Sequence, residues 1–235
     1  MNTSTSQLLP QIEEQAVSSV REIVEAFEKE NLLHDDRRDL LMRGEDSANF
    51  VPTAGIFRQG NNQSLERKVF EEFRRLIPAH TSIDMSDDWM VLWLAQHHGV
   101  PTRLLDWTRS PLVATYFAVE STNERDAAVW VIWGFDGIEK PPASPFEVTK
   151  MMKVSPLAIT PRVQAQSSVF TVHPDGRDVR HFLNDRDRVQ KFVIPRHQRN
   201  AMRRQLDFLG VNRSSIFPDL DGLGTWLRWR TQGIV

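Results

Sequence analysis

The sequence contains no cysteine, and this absence excludes both disulfide bonds and thiolate metal sites. It also lacks any run of about 18 apolar residues, the length that a membrane-spanning helix needs. The N-terminus has no basic segment followed by an apolar core, so no secretory leader is predicted. We therefore expect a soluble, cytoplasmic protein that makes no contact with a membrane.

The chain also has little net charge, −2 over 235 residues. This balance argues against nucleic-acid binding through bulk electrostatics, but a local basic face remains open. The residues that would form such a face are Arg196, His197, Arg199, Arg203 and Arg204. An ordinary solvated helix face explains the same residues.

Hydrophobic periodicity predicts helices and strands without a regular βαβ alternation. The predicted helices cover residues 10–29, 64–76, 87–98, 111–119, 198–209 and 219–230, and the predicted strands cover residues 40–42, 102–108, 127–135, 168–173 and 189–194. This pattern favours an α+β fold with small mixed or antiparallel sheets flanked by helices. Residues 1–38 are interpreted as a helical lead-in and residues 39–235 as a single globular domain.

The strand at 127–135 is apolar on both faces, which predicts a central position in its sheet. Trp130 and Trp133 are an odd number of residues apart, so they are predicted on opposite faces of this strand.

Polar residues concentrate in the stretch AQHHGVPTRLLDWTRSPLVATYFA, residues 95–118. His97 and His98 end a predicted helix, where adjacent side chains point about 100° apart, so one metal ion cannot bind both. No third ligand follows at a known spacing, and no metal site is predicted. Each histidine is also explained as a helix cap or a core residue, and Arg103 with Asp106 as an ion pair beside a buried tryptophan. Spacing alone leaves the function open.

The same stretch resembles the signature of the FRG domain, a family named for an aromatic-Arg-Gly motif. The matching segments are Gln96–Gly99, Thr102–Thr108 and Ser110–Ala118. Met42-Arg43-Gly44-Glu45 stands at the naming motif, with methionine in place of the aromatic residue. Further matches are Arg58, Arg162, Gln166, Val169–Thr171 and Ile216–Gly222. The resemblance therefore covers most of the chain from about Leu40 onward.

The order of these parts also resembles the ADP-ribosyltransferase fold. In that fold the first strand ends in Arg-Gly or His-Gly, a second ends in Ser-Thr-Ser, and a late strand carries the catalytic acid. Arg43-Gly44 takes the first place in this comparison, and Asp106-Trp107-Thr108 takes the second. Gln166 falls near the place of the acid, where glutamine can bond a ribose hydroxyl but cannot stabilise positive charge.

This resemblance implies NAD as a substrate and a set of residues that converge on one cleft. The implied catalytic residues are His97, His98, Asp106 and Gln166, and the implied NAD-binding residues are Arg43, Gly44, Arg103 and Thr108. Arg43 suits a pyrophosphate, because a guanidinium bonds phosphate in a bidentate manner. Asp106 would stabilise a developing cation or orient a histidine that acts as a base.

Three functions follow as hypotheses. The first is an NAD-dependent ADP-ribosyltransferase, a toxin or phage-defence effector that modifies RNA or protein and is restrained by an antitoxin or other regulatory partner. The second is a module that binds a nucleotide or RNA without catalysis. The third is a metal-independent nuclease that uses His97 and His98. Turnover of NAD distinguishes the first, and cleavage of nucleic acid without a cofactor distinguishes the third.

Overall fold

A single seven-stranded sheet runs through the protein in a computed structural model, which describes residues 9–29, 40–60, 63–82, 86–135, 141–155 and 160–232. The strands are β1 (Ile12–Ala16), β2 (Leu41–Glu45), β3 (Leu104–Thr108), β4 (Ala127–Trp133), β5 (Met152–Val154), β6 (Ser168–Val172) and β7 (Arg188–Ile194). Their order is β1-β7-β4-β2-β3-β6-β5, with β1 and β7 parallel and the other neighbours antiparallel. The α+β class is confirmed. The prediction of several small sheets is wrong, because β4 pairs with both β2 and β7 and so joins all strands into one sheet.

Eight α-helices flank this sheet in the described part of the chain. They are α1 (Val20–Lys29), α2 (Gln63–Leu76), α3 (Asp88–His97), α4 (Pro111–Val119), α5 (Pro161–Ala165), α6 (Arg199–Phe208), α7 (Arg213–Ile216) and α8 (Leu220–Thr231). Five predicted helices match α2, α3, α4, α6 and α8 within the usual uncertainty of helix ends. Helix α4 begins as its sequence predicts, since the Ser110 side chain accepts from the amide of Val113 and Pro111 follows. None of the described helices is both long and apolar enough to cross a membrane.

The predicted helix over residues 10–29 is wrong in its first half. Residues 12–16 form β1, which pairs in parallel with the edge of the sheet at β7. Backbone hydrogen bonds to β7 satisfy the amide and carbonyl groups of this segment. Ion pairs, such as that between Lys191 and Glu14 at 2.9 Å, hold its charged side chains. Residues 1–8 and 30–38 of the interpreted lead-in lie outside the described residues.

Apolar side chains cover both faces of the sheet. On one face a cluster gathers residues of α1, α4 and α6, and a second cluster gathers residues of α2 and α3. The opposite face carries a third cluster under the loops that surround β4 and β7. Trp130 belongs to this third cluster and is 1% exposed, whereas Trp133 packs against the α1–α4–α6 cluster. Their predicted placement on opposite faces of an inner strand is confirmed.

A buried chain of hydrogen bonds crosses from β3 to the end of β6. The indole nitrogen of Trp107 donates to Oγ1 of Thr171 at 2.8 Å, and the same hydroxyl bonds Nε2 of His173 at 2.8 Å. Since the threonine hydroxyl has one proton, it donates to a neutral imidazole while it accepts from the indole. Burial, with a further contribution from the charge of Arg43, lowers the pKa of His173 to about 3.

We expect His173 to make the protein less stable as the pH falls. The unfolded histidine has a pKa of about 6.5, so between that value and about 3 the unfolded state binds a proton that the folded state does not. The stability is fully present above the unfolded pKa and is lost at up to about 1.4 kcal/mol per pH unit below it. Urea unfolding at a series of pH values measures this slope. His173→Gln should reduce the slope by about one proton, and His80→Gln, at an exposed histidine, should leave it unchanged. Equal slopes for the wild type and His173→Gln would contradict the assignment.

Candidate functional site

A cavity of about 400 Å³ opens on the sheet face that carries α3 and α4. Its floor comes from β2, β3 and β6, and its borders come from α3, α4, α5 and the residues after α7. The aromatic residues that line it are Trp93, Trp107, Phe117, Phe170 and Phe217. A volume of this size and an apolar lining with a few polar groups are typical of small-molecule sites.

The cavity lies where β2 and β3 separate. The ladder joins these described strands only at Met42 and Thr108, whereas β2 continues along β4 as far as Glu45. Arg43 spans the gap: its Nη1 donates to the backbone carbonyl of Asp106 at 2.8 Å, and its Nε donates to Glu45 at 2.5 Å. The guanidinium of Arg43 therefore supplies a hydrogen bond between β2 and β3 at a point where the two strands do not pair. Arg43 is mostly withdrawn from solvent, because its side chain is 16% exposed.

Asp106 presents its carboxylate to the cavity, with 54% of the side-chain surface exposed. Nε2 of Gln96 donates to its Oδ2 at 2.5 Å, and the Thr102 hydroxyl donates to Oε1 of Gln96 at 2.6 Å, which fixes the orientation of the amide. The surrounding protein atoms still remove enough water to raise the pKa of Asp106, although Arg43 and the bond from Gln96 oppose this rise. Asp106 is therefore a half-exposed carboxylate at the cavity surface, held by one amide, and its pKa is raised.

We expect Gln96→Leu to raise the pKa of Asp106 further, because the lost hydrogen bond stabilises the charged form. Thr102→Val should act in the same direction by releasing the amide of Gln96. Titration of the carboxyl carbon by NMR measures both effects without any assay of activity. Gln164→Leu, at an exposed position of α5, is the matched control. An unchanged pKa in Gln96→Leu would show that this bond does not form in solution.

The two histidines have different surroundings. His97 lies in the last turn of α3 and lines the cavity, whereas His98 is the exposed C-cap residue and lies outside the lining. Their ring centroids are 5.1 Å apart with nearly perpendicular planes. Burial lowers the pKa of His97, and the positive charge of Arg162 lowers it further. The structure therefore brings a neutral His97, without His98, to the predicted site.

Three predicted site residues line the cavity but already have structural roles: Thr108 and Gly44, predicted to bind NAD, and Gln166, predicted to be catalytic. The buried hydroxyl of Thr108 donates to the carbonyl of Gln166 at 2.7 Å and accepts from the amide of Ser110. The side-chain amide of Gln166 donates to the carbonyl of Ile216 at 3.3 Å. A Cβ on Gly44 would lie 2.1 Å from a backbone oxygen of α4, so glycine is required there for the helix to pack on β2.

Arg103 does not line the cavity. Its predicted role in binding NAD is therefore corrected. Its side chain is 2% exposed and bonds the equally buried Glu66, with Nη2 to Oε2 at 2.7 Å. Nη1 donates to the carbonyl of Pro145 at 3.0 Å. The alternative of an ion pair between Arg103 and Asp106 is also wrong, since Arg103 pairs with Glu66.

The basic cluster at residues 196–204 is divided by the fold. Arg199 is 4% exposed and donates to the carbonyls of Asp46, Ser121 and Arg125. Arg203 is 9% exposed, and its guanidinium lies 4.5 Å from the ring centroid of Trp229. These two arginines hold neighbouring segments together, so neither the continuous nucleic-acid face nor the fully solvated helix face is present.

Several cavity residues received no role in the sequence analysis. Arg162 lines the cavity, bonds Asp219 at 3.1 Å and lies 4.7 Å from the ring centroid of Phe217. Trp93 and Phe117 project into the cavity from α3 and α4. Helical periodicity alone assigns these aromatic residues to a core, because it does not show that two helices leave a space between them. The only sequence signal for Arg162, Gln96 and Phe217 is their place in the segments that resemble the FRG domain.

Charged groups of both signs stand beside the aromatic walls of the cavity. The guanidinium groups are those of Arg43 and Arg162, and the carboxylates are those of Glu45, Asp46 and Asp106. A guanidinium can bind an anionic group, and an aromatic wall can pack against a flat ring. Within the described ranges, no three His, Asp or Glu side chains are grouped in a way that could hold a metal ion. A carboxylate such as Asp106 can stabilise a cation, and a histidine such as His97 can move a proton; both line the cavity.

A family model, that of the FRG domain, matches residues 38–127. The match includes β2, α3, β3 and α4, and therefore Arg43, Gln96 and Asp106, and it ends where β4 begins. No curated protein and no solved structure gives a significant match to the chain. The residues around the split between β2 and β3, from residue 38 to residue 127, belong to the FRG domain family.

Proposed function

We propose that the protein is an NAD-dependent ADP-ribosyltransferase that modifies a macromolecule, RNA or protein, in the cytoplasm. The observation that carries this proposal is the convergence of Arg43, His97 and Asp106 on one aromatic-lined cavity, although they are far apart in the sequence. The salt bridge between Arg43 and Asp106, with 4.0 Å between Nη1 and Oδ2, places both at one end of the cavity floor.

The sheet order supports the comparison with the ADP-ribosyltransferase fold. The strand with Arg43-Gly44 lies next to the strand with Asp106-Trp107-Thr108, which in turn pairs with β6, the strand that follows Gln166. Helix α4 packs on β2 at Gly44 and leads to the apolar strand β4. The parts that the resemblance assigned to separate roles are therefore neighbours in space.

The proposed reaction breaks the bond between the ribose C1′ of NAD and the nicotinamide nitrogen. The bonding electron pair leaves with nicotinamide, which becomes neutral, and positive charge develops on the ribose. A nucleophilic oxygen or nitrogen of the target bonds to C1′, and its proton passes to a base. Asp106 stabilises the developing charge, since a carboxylate that Gln96 holds in position interacts favourably with a cation that forms beside it. The lowered pKa of His97 favours its neutral form, which can accept the proton.

This assignment gives Asp106 the task for which Gln166 is unsuited. Gln166 remains available only for hydrogen bonds, and its amide already bonds the carbonyl of Ile216. The phosphates of NAD would meet Arg43 and Arg162, and its rings would lie against Trp93, Phe117 and Phe217. An effector of this kind, a toxin or a phage-defence protein, needs an antitoxin or other regulatory partner to restrain it in its own cell.

A second function, nucleotide binding without turnover, is favoured by one specific observation. The hydroxyl of Thr108 both donates to and accepts from the backbone, so it is not free to orient a ribose, and the side-chain nitrogen of Gln166 already donates to the carbonyl of Ile216. A nuclease that uses His97 and His98 together receives less support, because only His97 lines the cavity.

Incubation of the protein with NAD labelled on its adenylate phosphate, in the presence of separate protein and RNA pools, tests the proposal. We expect release of nicotinamide and transfer of label to one pool, both lost in Arg43→Ala. Binding of NAD by calorimetry without nicotinamide release would support the second function instead. Absence of both binding and turnover would overturn the two proposals together.

A further inference from the structure

Arg162 brings a guanidinium to the wall of the cavity and leaves most of its hydrogen-bond donors unused. Its Nη2 donates to Oδ2 of Asp219 at 3.1 Å, and its Nε and Nη1 bond no described residue. The Arg162 side chain is 32% exposed. Since a guanidinium has five N–H donors in a fixed fork, one bond to Asp219 leaves room for a second oxyanion. Arg162 can therefore bind an anionic group of a ligand in the cavity.

The place of the Asp219 carboxylate is set by the start of α8. Its Oδ1 accepts from the amide of Gly222 at 2.7 Å as the cap of this helix, and its own amide donates to the carbonyl of Phe217 at 2.8 Å. A Cβ on Gly222 would overlap the same carbonyl oxygen, so the helix packs closely on the residues before it. Asp219 does not line the cavity. The carboxylate therefore stands behind the cavity wall, where the helix holds it beside Arg162.

Asp219 is a charged competitor for whatever anion the cavity takes. The backbone amide that it caps and then the bond from Arg162 lower its pKa, so it is ionised at neutral pH. The guanidinium of Arg213 lies against the same Phe217 ring as Arg162, but its counter-charge is Glu120. Among the described carboxylates, Asp219 alone pairs with Arg162. Carboxylate and phosphate oxygens accept from a guanidinium in the same manner, so the two compete for it.

We propose that Asp219 competes with the phosphate of a ligand for Arg162 and thereby sets how tightly the cavity holds phosphate-bearing ligands. This inference rests on the proposed function, in which the phosphates of NAD meet Arg162. To bind a phosphate fully, Arg162 releases Asp219 or shares its charge with it, and the ligand loses part of its affinity. A half-exposed ion pair is weak, so removal of the competitor should tighten binding about two- to fivefold.

Asp219→Asn tests the proposal without disturbing α8, because asparagine caps a helix as well as aspartate does. The probe is ADP, which carries two phosphates and has no nicotinamide to lose. We expect calorimetry to give a Kd for ADP about two- to fivefold lower in Asp219→Asn than in the wild type. Asp221→Asn, at an exposed aspartate in the first turn of the same helix, removes the same charge and should leave the Kd nearly unchanged. Melting temperatures confirm that both variants are folded.

A second variant shows whether the effect passes through Arg162. Arg162→Gln should weaken ADP binding about tenfold or more, since it removes a charge-assisted bond to phosphate. In the Arg162→Gln background, Asp219→Asn should no longer tighten binding, because the guanidinium for which it competes is absent. An ion pair that only joins α5 to α8 predicts the opposite for the single variant, namely binding that is unchanged or weaker.

The proposal is overturned if Asp219→Asn binds ADP no more tightly than the wild type, if Asp221→Asn gives an equal gain, or if neither the wild type nor Asp219→Asn binds ADP. Nicotinamide release from NAD is measured separately on the same samples. Tighter ADP binding in Asp219→Asn without nicotinamide release would support the competition and contradict the enzyme. Nicotinamide release with equal ADP affinities would contradict the competition alone.

Discussion

Asp106→Asn is expected to reduce NAD turnover at least about 100-fold while the protein remains folded. The substitution keeps the size of the side chain and one oxygen that can accept from Gln96, but it removes the negative charge from the cavity. Loss of one preorganised group that stabilises the transition state typically costs a factor of about 100 to 1,000 in kcat. Initial rates of nicotinamide release and the melting temperature of the same sample give the two measurements.

The raised pKa of Asp106 determines the expected effect on stability. The atoms around Asp106 raise its pKa although about half of its side chain is exposed, so a neutral isostere at this position should cost little stability. Asp106 also has no bond to Arg103, whose counter-charge is Glu66. A stable but inactive variant therefore supports catalysis, whereas a stable variant with full activity removes Asp106 from the reaction.

Asp185→Asn, at an exposed aspartate outside the cavity, is the matched control and should keep full activity. The same carboxylate should also set the acid limb of the pH profile. Because the pKa of Asp106 is raised, it loses its charge at a higher pH than an ordinary aspartate, and turnover should begin to fall at a correspondingly higher pH. A profile in which turnover persists below the ordinary aspartate pKa of 3.8 would contradict this role.

The sequence predicts the parts of the fold that local chemistry determines. Ser110 and Pro111 mark the start of α4 because a serine cap followed by proline has one common structural use. The apolar segment Ala127–Trp133 is an inner strand because only a strand covered on both faces is apolar on both sides. In contrast, β1 has mostly exposed residues and depends on its pairing with β7, a partner about 175 residues away that no local pattern specifies.

In the candidate site too, the sequence predicts some features and leaves others to the tertiary structure. Arg43 and Asp106 were predicted to converge because both stand at ends of predicted elements, where sites usually form, and they lie in salt-bridge contact. Their environment was not predictable: whether Arg103 faces a ligand or a buried carboxylate depends on where α2 packs. The partner, Glu66, appears in the sequence as one of several charged residues on an amphipathic helix. Only the tertiary structure distinguishes it from Glu72, which lies on the solvent side of the same helix.

Glu66→Gln is expected to lower the free energy of unfolding by about 3–5 kcal/mol, the usual cost of leaving one member of a buried ion pair without its partner. Glu66 accepts from the backbone amide, Nε and Nη2 of Arg103, and both side chains are 2% exposed. A glutamine in this place loses the negative charge and also directs an amide donor toward a guanidinium that has no acceptor of its own. Urea unfolding at neutral pH measures the loss.

Glu72→Gln is a close control, because it makes the same chemical change on the same helix. Its partner Arg75 is 66% exposed, and water screens the attraction in an exposed pair of this kind, so Glu72→Gln should change the stability little. Replacement of both Glu66 and Arg103 by methionine should recover part of the loss, since a buried pair of apolar residues leaves no charge uncompensated. A Glu66→Gln protein as stable as Glu72→Gln would show that Arg103 finds another acceptor or reaches water. Arg103 would then again be a candidate for contact with NAD. A large loss in Glu66→Gln alone, partly restored in the double variant, instead makes Arg103 a structural residue that holds α2 against β3.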